Sequence, residues 1–338
     1  MKAVFVAGKG RVEVRELPVP KPKAGELLVR MRACGICGSD LEKVYGEYGM
    51  GSVKLGHELA GEVAAVGLGV NGFVPGDRVF VRQRVPCYSC RLCAAGNHTT
   101  CDLFRSTGVE PCGLAEQFIV PDVNVRNGGV IPLPGGLPFE EAAACEPLSC
   151  CLRAVNRCGL RPSETVAIVG AGPAGLMFAM ALKARGAGQL FLLDVNPARL
   201  AWARLVAEAI NPLDVNPIEA VRSRTEGGVD LAVAATSSMS VVETALGMLR
   251  RGGRLLLFGV PPKGSTLGLD LNHFFSNEIA LLTSAYSIRQ EVEEALRLVA
   301  SGQINLRQLI THTFPIGKSS KAFALAREGE GMKIVITA

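Results

Sequence analysis

The sequence predicts an α/β protein, with a mainly β region followed by an open, doubly wound parallel sheet. Short β-type runs separated by Gly and Pro occupy roughly the first 130 residues. From about Leu160, apolar strands alternate with helical segments of roughly 10 to 15 residues, a pattern typical of right-handed βαβ units. A glycine-rich turn, GAGPAG, follows the first of these strands.

Composition limits the classes of function. The 338 residues are 48% hydrophobic and 20% charged, which fits a folded protein with room for two domains. The net charge of +5 is not concentrated in a basic cluster, so we expect no nucleic-acid partner. The apolar stretch from Thr165 to Ala184 is interrupted by Gly and Pro, so we expect no membrane span.

Cysteine usage indicates the compartment. The 11 cysteines are an odd number, and MKAVFVAGKG reads as a first strand rather than an export signal. We therefore expect a cytoplasmic protein that uses cysteine for metal binding rather than for disulfides.

The strands and helices are predicted in chain order. After the first strand, the β region contains strands at ELLVRMRA, LAGEVAAVG and DRVFVRQRV. The alternating region is read as strand TVAIVGAG, a helix from about Pro173 to Arg185, strand QLFLLD, helix ARLAWARLVAEA, strand VDLAVAAT, helix VVETALGMLRRGG and strand RLLLFGV. A helix at EVEEALRLVASG and a strand-like tail, KIVITA, follow.

Four cysteines in one short segment predict a metal site. Cys87, Cys90, Cys93 and Cys101 follow the spacing Cys-x2-Cys-x2-Cys-x7-Cys. Four thiolates this close can surround one ion tetrahedrally, which indicates zinc or an iron–sulfur centre. A zinc ion held by four cysteines has no open coordination position, so this site would be structural.

The glycine-rich turn predicts a dinucleotide site of the Rossmann type. Gly170-x-Gly172-x-x-Gly175 follows an apolar strand and opens a helix that begins with Pro173 and Ala174. Asp194, at the end of the next strand, can accept hydrogen bonds from ribose hydroxyls and would repel a 2′-phosphate. NAD is therefore favoured over NADP, although Arg199 could offset that repulsion.

A third group of residues is scattered along the chain. Cys37 in CGICGSD, His57 and Glu58 in GHE, and Glu146 in EPLS together offer a thiolate, an imidazole and two carboxylates. This donor set suits a catalytic zinc ion with an exchangeable position.

These motifs together resemble one family over essentially the whole length. CGICGSD, GHELAGEVAAVG, VPGDRV, the four-cysteine segment, CGLAEQFIVP, EPLS and VAIVGAGPAGL stand in the order typical of zinc-dependent medium-chain dehydrogenases/reductases, in their polyol (sorbitol/L-iditol) and threonine dehydrogenase branch. The resemblance implies a GroES-like catalytic domain at about 1–150 with its structural-zinc lobe at about 87–101, a Rossmann NAD-binding domain at 151–287, and a return to the catalytic domain at 288–338.

The resemblance also assigns roles to residues. It implies that Cys37 and His57 bind the catalytic zinc, with either Glu58 or Glu146 as the further ligand and Cys145 as an alternative. Asp40 would orient His57, and Ser39 would begin the proton relay. Glu42 stands where relatives often carry a relay histidine, so the outer proton path would run through Glu42 or water.

The implied activity is oxidation of a secondary alcohol. Zinc would lower the pKa of the substrate hydroxyl, and hydride would move to the nicotinamide in a cleft between the two domains. The expected substrate is a polyol or sugar alcohol, with specificity expected in the loop from Lys43 to Met50. The alternatives are L-threonine 3-dehydrogenase-like oxidation, a general alcohol dehydrogenase, and a non-catalytic NAD-binding zinc protein. Family members are commonly homotetramers and sometimes homodimers.

Overall fold

A computed structural model describes residues 1–46 and 54–338. The chain divides into two compact units, one formed by Met1–Ser149 with Ser287–Ala338 and the other by Cys150–Tyr286. The predicted α/β class is confirmed, because one unit is built mainly on antiparallel strands and the other on a parallel sheet with helices.

The strands account for both sheets. Within the described residues they are β1 (Lys2–Val6), β2 (Val12–Glu16), β3 (Leu27–Gly35), β4 (Glu58–Val66), β5 (Arg78–Arg82), β6 (Gln117–Val120), β7 (Val130–Pro132), β8 (Val166–Val169), β9 (Leu190–Leu193), β10 (Glu208–Ile210), β11 (Val229–Ala234), β12 (Leu249–Leu257), β13 (Ala280–Thr283), β14 (Ile310–Pro315) and β15 (Lys333–Thr337).

The helices are mostly short. In the same part of the chain they are α1 (Gly38–Tyr45), α2 (Arg91–Ala94), α3 (Asp102–Ser106), α4 (Asp122–Arg126), α5 (Phe139–Cys158), α6 (Pro173–Ala184), α7 (Pro197–Ala203), α8 (Pro217–Arg222), α9 (Met239–Gly247), α10 (Leu271–Ser276), α11 (Arg289–Ala300) and α12 (Ser319–Glu328). None of these described helices is both long enough and apolar enough to cross a membrane.

The first unit is organised around a seven-stranded sheet. Its strand order is β14-β15-β3-β4-β5-β7, β6 also pairs with β3, and β1 and β2 form a separate hairpin. The strand nearest the end of the sequence, β15, lies between β14 and β3. Buried apolar side chains of β3, β4, β5 and β15 form its core.

The second unit has the Rossmann strand order. Its six strands run parallel in the order β10-β9-β8-β11-β12-β13. Numbered one to six along the chain, they read 3-2-1-4-5-6, which is the order of dinucleotide-binding sheets. The first strand of this unit, β8, therefore ends where the strand order reverses, and the glycine-rich turn follows it.

Two predicted helices are too long. The helix expected at ARLAWARLVAEA ends at Ala203, because the residues after it turn and Glu208–Ile210 pair with β9. The helix expected at VVETALGMLRRGG ends at Gly247, because Leu249 already pairs with β11. Gly252 has φ of 69°, a left-handed conformation that a continuing helix excludes.

Candidate active site

Cys37, His57 and Glu58 come together in the first unit. Their ligand atoms all lie within 4.8 Å of one another. Cys37 precedes α1, His57 comes just before β4, and Glu58 is the first residue of that strand. A thiolate, an imidazole and a carboxylate this close form a donor set that fits zinc.

Asp40 ties the two segments of this cluster together. Its buried carboxylate accepts the N–H of Cys37 at 3.3 Å and the N–H of Gly56 at 3.2 Å, and lies 3.5 Å from His57 Nδ1. Burial alone would raise the pKa of Asp40, but His57, Lys43 and the Gly56 N–H hold it far below its usual range. Asp40 therefore remains a carboxylate and leaves Nε2 of His57 as the nitrogen available to a metal.

His57 is strongly influenced by its neighbours. Burial alone would lower its pKa, but the charges of Asp40 and Cys37 and their hydrogen bonds raise that pKa well above its ordinary value. Binding a metal through this imidazole must therefore release a proton.

Lys333 of β15 neutralises Glu58. The Lys333 ammonium donates to Glu58 Oε1 at 2.5 Å and to the Ile36 carbonyl at 3.1 Å, and forms an ion pair with Glu58 Oε2. Burial alone would lower the pKa of Lys333, but Glu58 and Cys37 raise it. Lys333 belongs to none of the motifs in the sequence, and the only signal for it was a lysine at the start of the apolar strand KIVIT.

Glu146 and Cys145 lie on α5, outside the three-residue cluster. Glu146 is half-buried, and its charge contributes to the raised pKa of Lys333. Cys145 is fully buried and donates to the Glu141 carbonyl at 3.4 Å, and burial raises its pKa strongly. Because a metal ligand must be a thiolate, this environment argues against Cys145 as the alternative ligand.

The predicted relay residues lie on α1. Ser39 and Glu42 are exposed and share one side of the helix three residues apart, whereas Asp40 is buried. Lys43 points inward, donating to Asp40 Oδ1 at 3.3 Å and to the Lys54 carbonyl at 3.1 Å. Of the loop expected to set specificity, residues 47–50 lie outside the described residues.

The four-cysteine segment forms a second candidate metal site. The sulfur atoms of Cys87, Cys90, Cys93 and Cys101 lie within 4.8 Å of one another. Hydrogen bonds from Ser89 and Cys90 lower the pKa of Cys87 to about 6, which favours its thiolate form. The geometry and chemistry of the set fit a tetrahedral structural zinc.

The glycine-rich turn has the geometry that a dinucleotide requires. A Cβ at Gly175 would lie 1.8 Å from the Gly170 carbonyl oxygen, so only glycine lets α6 pack this closely. Gly172, at the start of α6, faces open space, and Pro173 and Ala174 follow it in the first turn. A phosphate at this helix N-terminus would meet backbone N–H groups and the positive end of the helix dipole.

Asp194 connects this turn to the loop after β9. Its carboxylate is nearly buried and accepts the N–H of Ala171 and the N–H of Asn196, both at 2.8 Å. Arg199 Nη1 lies 3.7 Å from Asp194 Oδ2. The structure thus brings Gly170, Asp194 and Arg199 to the carboxyl ends of β8 and β9.

Comparisons with known proteins agree with this geometry. The alcohol dehydrogenase GroES-like domain matches residues 23–134, and the zinc-binding dehydrogenase domain matches residues 173–301. A sorbitol dehydrogenase of Bacillus subtilis is 33% identical over 99% of this chain and 97% of its own length. The chain belongs to the zinc-dependent medium-chain dehydrogenase/reductase family.

Two further known proteins are similar to this chain over nearly its whole length. A D-altritol 5-dehydrogenase of Agrobacterium fabrum is 32% identical, covering 94% of each chain. A zinc-binding dehydrogenase of Sinorhizobium meliloti 1021, solved with NADP bound, is 28% identical, with a TM-score of 0.91 over 100% of this chain and 99% of its own. The predicted family and its two-part fold are confirmed, as is a zinc-dependent dehydrogenase that uses a nicotinamide dinucleotide.

Proposed function

We propose that this protein oxidises a secondary alcohol of a polyol or sugar alcohol to the ketone and transfers the hydride to NAD. The observation that carries the proposal is the cluster of Cys37, His57 and Glu58, held by Asp40 and Lys333. The sorbitol and D-altritol dehydrogenases among its relatives support a polyol substrate over a simple alcohol or L-threonine.

The side chains of the cluster have distinct parts in this reaction. Zinc held by Cys37 and His57, with Glu58 or Glu146 as a further ligand, supplies the Lewis acidity that lowers the pKa of the substrate hydroxyl. Asp40 fixes the imidazole of His57. We assign Ser39 the acceptance of the released proton and Glu42 or water its passage to solvent, and the exposure of Ser39 and Glu42 on α1 supports this assignment.

We assign the dinucleotide to the turn formed by Gly170, Gly172 and Gly175. Asp194 supports NAD as the preferred form, because its carboxylate can accept from ribose hydroxyls and repels a 2′-phosphate. Arg199 lies close enough to weaken that repulsion. Kinetics with NAD+ and NADP+ test the preference, and an advantage for NADP+ would contradict it.

We also propose a cytoplasmic homodimer or homotetramer. All 11 cysteines are free, which suits a reducing compartment. β13 is an outer strand of its sheet, and an exposed outer strand is a natural surface for pairing with a second copy.

The test is NADH formation, followed by its near-ultraviolet absorbance, with sorbitol and other polyols, L-threonine and simple secondary alcohols. Each reaction is run with and without a zinc chelator, and with Cys37→Ala beside the unaltered protein. We expect a polyol-dependent signal that the chelator and the substitution both abolish, and two zinc ions per chain by elemental analysis. A preference for L-threonine would overturn the substrate class, and turnover that survives Cys37→Ala would overturn the assigned metal site.

A further inference from the structure

Arg82, the last residue of β5, has an unsatisfied donor in a buried position. The residue is only 5% exposed, and its Nη2 donates to the Ser287 carbonyl at a long 3.4 Å. Its Nη1 has no hydrogen-bond partner among the residues that the structure describes. Burying a charged donor without an acceptor costs free energy, so an additional acceptor at Nη1 would stabilise this arrangement.

The backbone places Arg82 beside the metal cluster. Arg82 and Glu58 are directly paired in the ladder of β4 and β5. Paired residues of antiparallel strands share one face of the sheet, with Cβ atoms roughly 5 Å apart. The side chain of Arg82 therefore leaves the sheet on the same face as the side chain of Glu58, which forms part of the cluster.

Ser287, whose carbonyl accepts from Arg82, is also linked to α5 by two consecutive hydrogen bonds. Ser149 Oγ lies 2.5 Å from the Glu146 carbonyl oxygen and 2.7 Å from Ser287 Oγ. Because a carbonyl oxygen can only accept, Ser149 donates its single hydroxyl hydrogen to it and accepts a hydrogen bond from the Ser287 hydroxyl. Arg82 thus contacts a residue that is fixed to the segment carrying Glu146.

The charge of Arg82 is only partly compensated by its surroundings. Burial lowers the pKa of its guanidinium, while a hydrogen bond with Tyr88 and the charge of Glu291 raise it and the nearby charge of Arg289 lowers it. These contacts explain why the side chain is held here. They leave Nη1 without an acceptor among the described residues, 1–46 and 54–338.

We propose that Arg82 is a specificity-determining residue that donates from Nη1 to a substrate oxygen carried on a carbon other than the one oxidised. The inference rests on the proposed oxidation of polyols. A polyol hydroxyl or the carboxylate of a sugar acid offers this acceptor, and a monofunctional secondary alcohol does not. A guanidinium gains most from a charged acceptor, so a carboxylate at that position binds more tightly than a hydroxyl.

The experiment compares Arg82→Met and Arg82→Lys with the unaltered enzyme on sorbitol, D-gluconate and 2-butanol. Arg84→Met is the control, since that arginine lies two positions away and donates to the carbonyls of Phe104 and Arg105. We expect Arg82→Met to lower kcat/KM for sorbitol by about tenfold to a hundredfold, mainly through KM, with 2-butanol changed by less than about twofold. Added guanidinium ion should restore part of the activity lost by Arg82→Met. The kcat/KM of Arg82→Lys on sorbitol should lie between those of Arg82→Met and the unaltered enzyme.

The substrate arms distinguish the two sources of the acceptor. A larger loss on D-gluconate than on sorbitol indicates a carboxylate, and a loss on sorbitol alone indicates a hydroxyl. An equal loss on sorbitol and 2-butanol, or no loss on any substrate, overturns the assignment. Zinc content and NADH binding of each variant are measured alongside, and if Arg82→Met is not folded, the same comparison is made with Arg82→Lys.

A binding measurement separates this inference from the proposed function. Calorimetric titration of the zinc-loaded protein and NADH with sorbitol or D-gluconate reports on Arg82 without turnover. Turnover of the unaltered protein with undiminished binding by Arg82→Met overturns the role of Arg82 alone. Absence of both turnover and binding in the unaltered protein overturns the proposed function and this inference together.

Discussion

Lys333 and Glu58 form a buried ion pair next to the thiol of Cys37 and the imidazole of His57. Both partners are almost completely removed from water. Removing one member of such a pair leaves an uncompensated buried charge, which costs far more than the pair itself contributes. A zinc ion in the cluster would supply positive charge to the same carboxylate, so metal and lysine would compensate the charge of Glu58 jointly.

Lys333→Met should therefore destabilise the zinc-free protein more than the zinc-loaded protein. We expect a loss of about 3 kcal/mol in the unfolding free energy without zinc and a clearly smaller loss with zinc bound. Urea unfolding of both forms measures this difference, with the exposed Lys321→Met as the control. Adding Glu58→Gln to Lys333→Met should recover much of the zinc-free loss, and equal losses in both forms would contradict the shared role.

The sequence predicted the residues of the cluster better than the residues that pack around it. Cys37, Asp40, His57 and Glu58 fall in two short motifs, so the resemblance could identify them, and the structure brings them together. Glu146 comes from a motif too, but the structure leaves it outside the cluster. Lys333 and Arg82 belong to no motif, because their significance arises from strands that pair only in the folded sheet.

The turn between β8 and α6 depends on glycine for two different reasons. Gly175 permits close packing of the helix, because a Cβ there would overlap the Gly170 carbonyl. Gly172 has an ordinary φ of −70°, and a Cβ at this residue would have no atom within 4 Å. We therefore expect Gly175 to be needed for the packing of the fold and Gly172 for the approach of a ligand.

Two alanine substitutions should separate these roles. We expect Gly175→Ala to lower the unfolding free energy by about 2 kcal/mol, because its methyl group would overlap the Gly170 carbonyl. Gly172→Ala should change stability by less than about 0.5 kcal/mol. The same substitution should weaken NADH binding about tenfold or more, a change of about 1.4 kcal/mol. Urea unfolding and fluorescence titration with NADH measure the two effects, and a stable Gly175→Ala that binds NADH normally would be inconsistent with the packing argument.

Glu164, just before β8, binds two arginines, and one of them, Arg254 of β12, also contacts the end of α5. Glu164 accepts from Arg254, Arg161 Nε at 2.9 Å and the Arg161 N–H at 3.0 Å, and Arg254 also donates to the Cys158 carbonyl at 2.6 Å. Burial alone would raise the pKa of Glu164, but these hydrogen bonds hold it below its ordinary value. The carboxylate therefore stabilises the fold when it is ionised.

Glu164→Gln should make stability less dependent on pH. A pKa lowered by folding contributes stability above the unfolded-state value of 4.5, and that stability disappears as pH falls through the folded-state pKa. We expect the variant to be about 2 kcal/mol less stable at pH 7, with the difference shrinking below about pH 4. Urea unfolding across this range tests it, with exposed Glu243→Gln as the control, and a difference independent of pH would exclude the electrostatic explanation.

Secondary structure was easiest to predict where a short apolar run forms a buried central strand. The strands at β8, β9 and β11 are short apolar runs, and the structure places strands at each of them. The helices α7 and α9 were overextended because the residues after them have helix-compatible side chains. Their conformation is decided instead by pairing of β10 with β9 and of β12 with β11, which depends on distant parts of the chain.

At the outer edge of the parallel sheet, β13 pairs with β12 and with no other described strand. Leu281 of β13 is 40% exposed, and Phe275 of the preceding helix α10 is 86% exposed. An exposed apolar outer strand of this kind favours self-association.

Leu281→Arg should dissociate the oligomer proposed above. Two arginines facing each other across a shared strand edge would repel and would bury charge, so we expect sedimentation velocity to show monomers. Leu213→Arg, at a residue 75% exposed in the loop after β10, is the control and should leave the assembly intact. A monomeric unaltered protein, or an oligomer unaffected by Leu281→Arg, would show that β13 is not the interface.

The position of β15 within its sheet sets an order of events during synthesis. Lys333 follows Glu58 by 275 residues, so a ribosome adding about 5 to 20 residues per second makes it roughly 14 to 55 seconds later. Cys87 through Cys101 emerge as one segment and can capture zinc early, and Cys150–Tyr286 can fold as a continuous stretch. The unit begun first is thus completed only after Cys150–Tyr286 has been made, and the cluster of Cys37, His57 and Glu58 acquires the Lys333 charge only then.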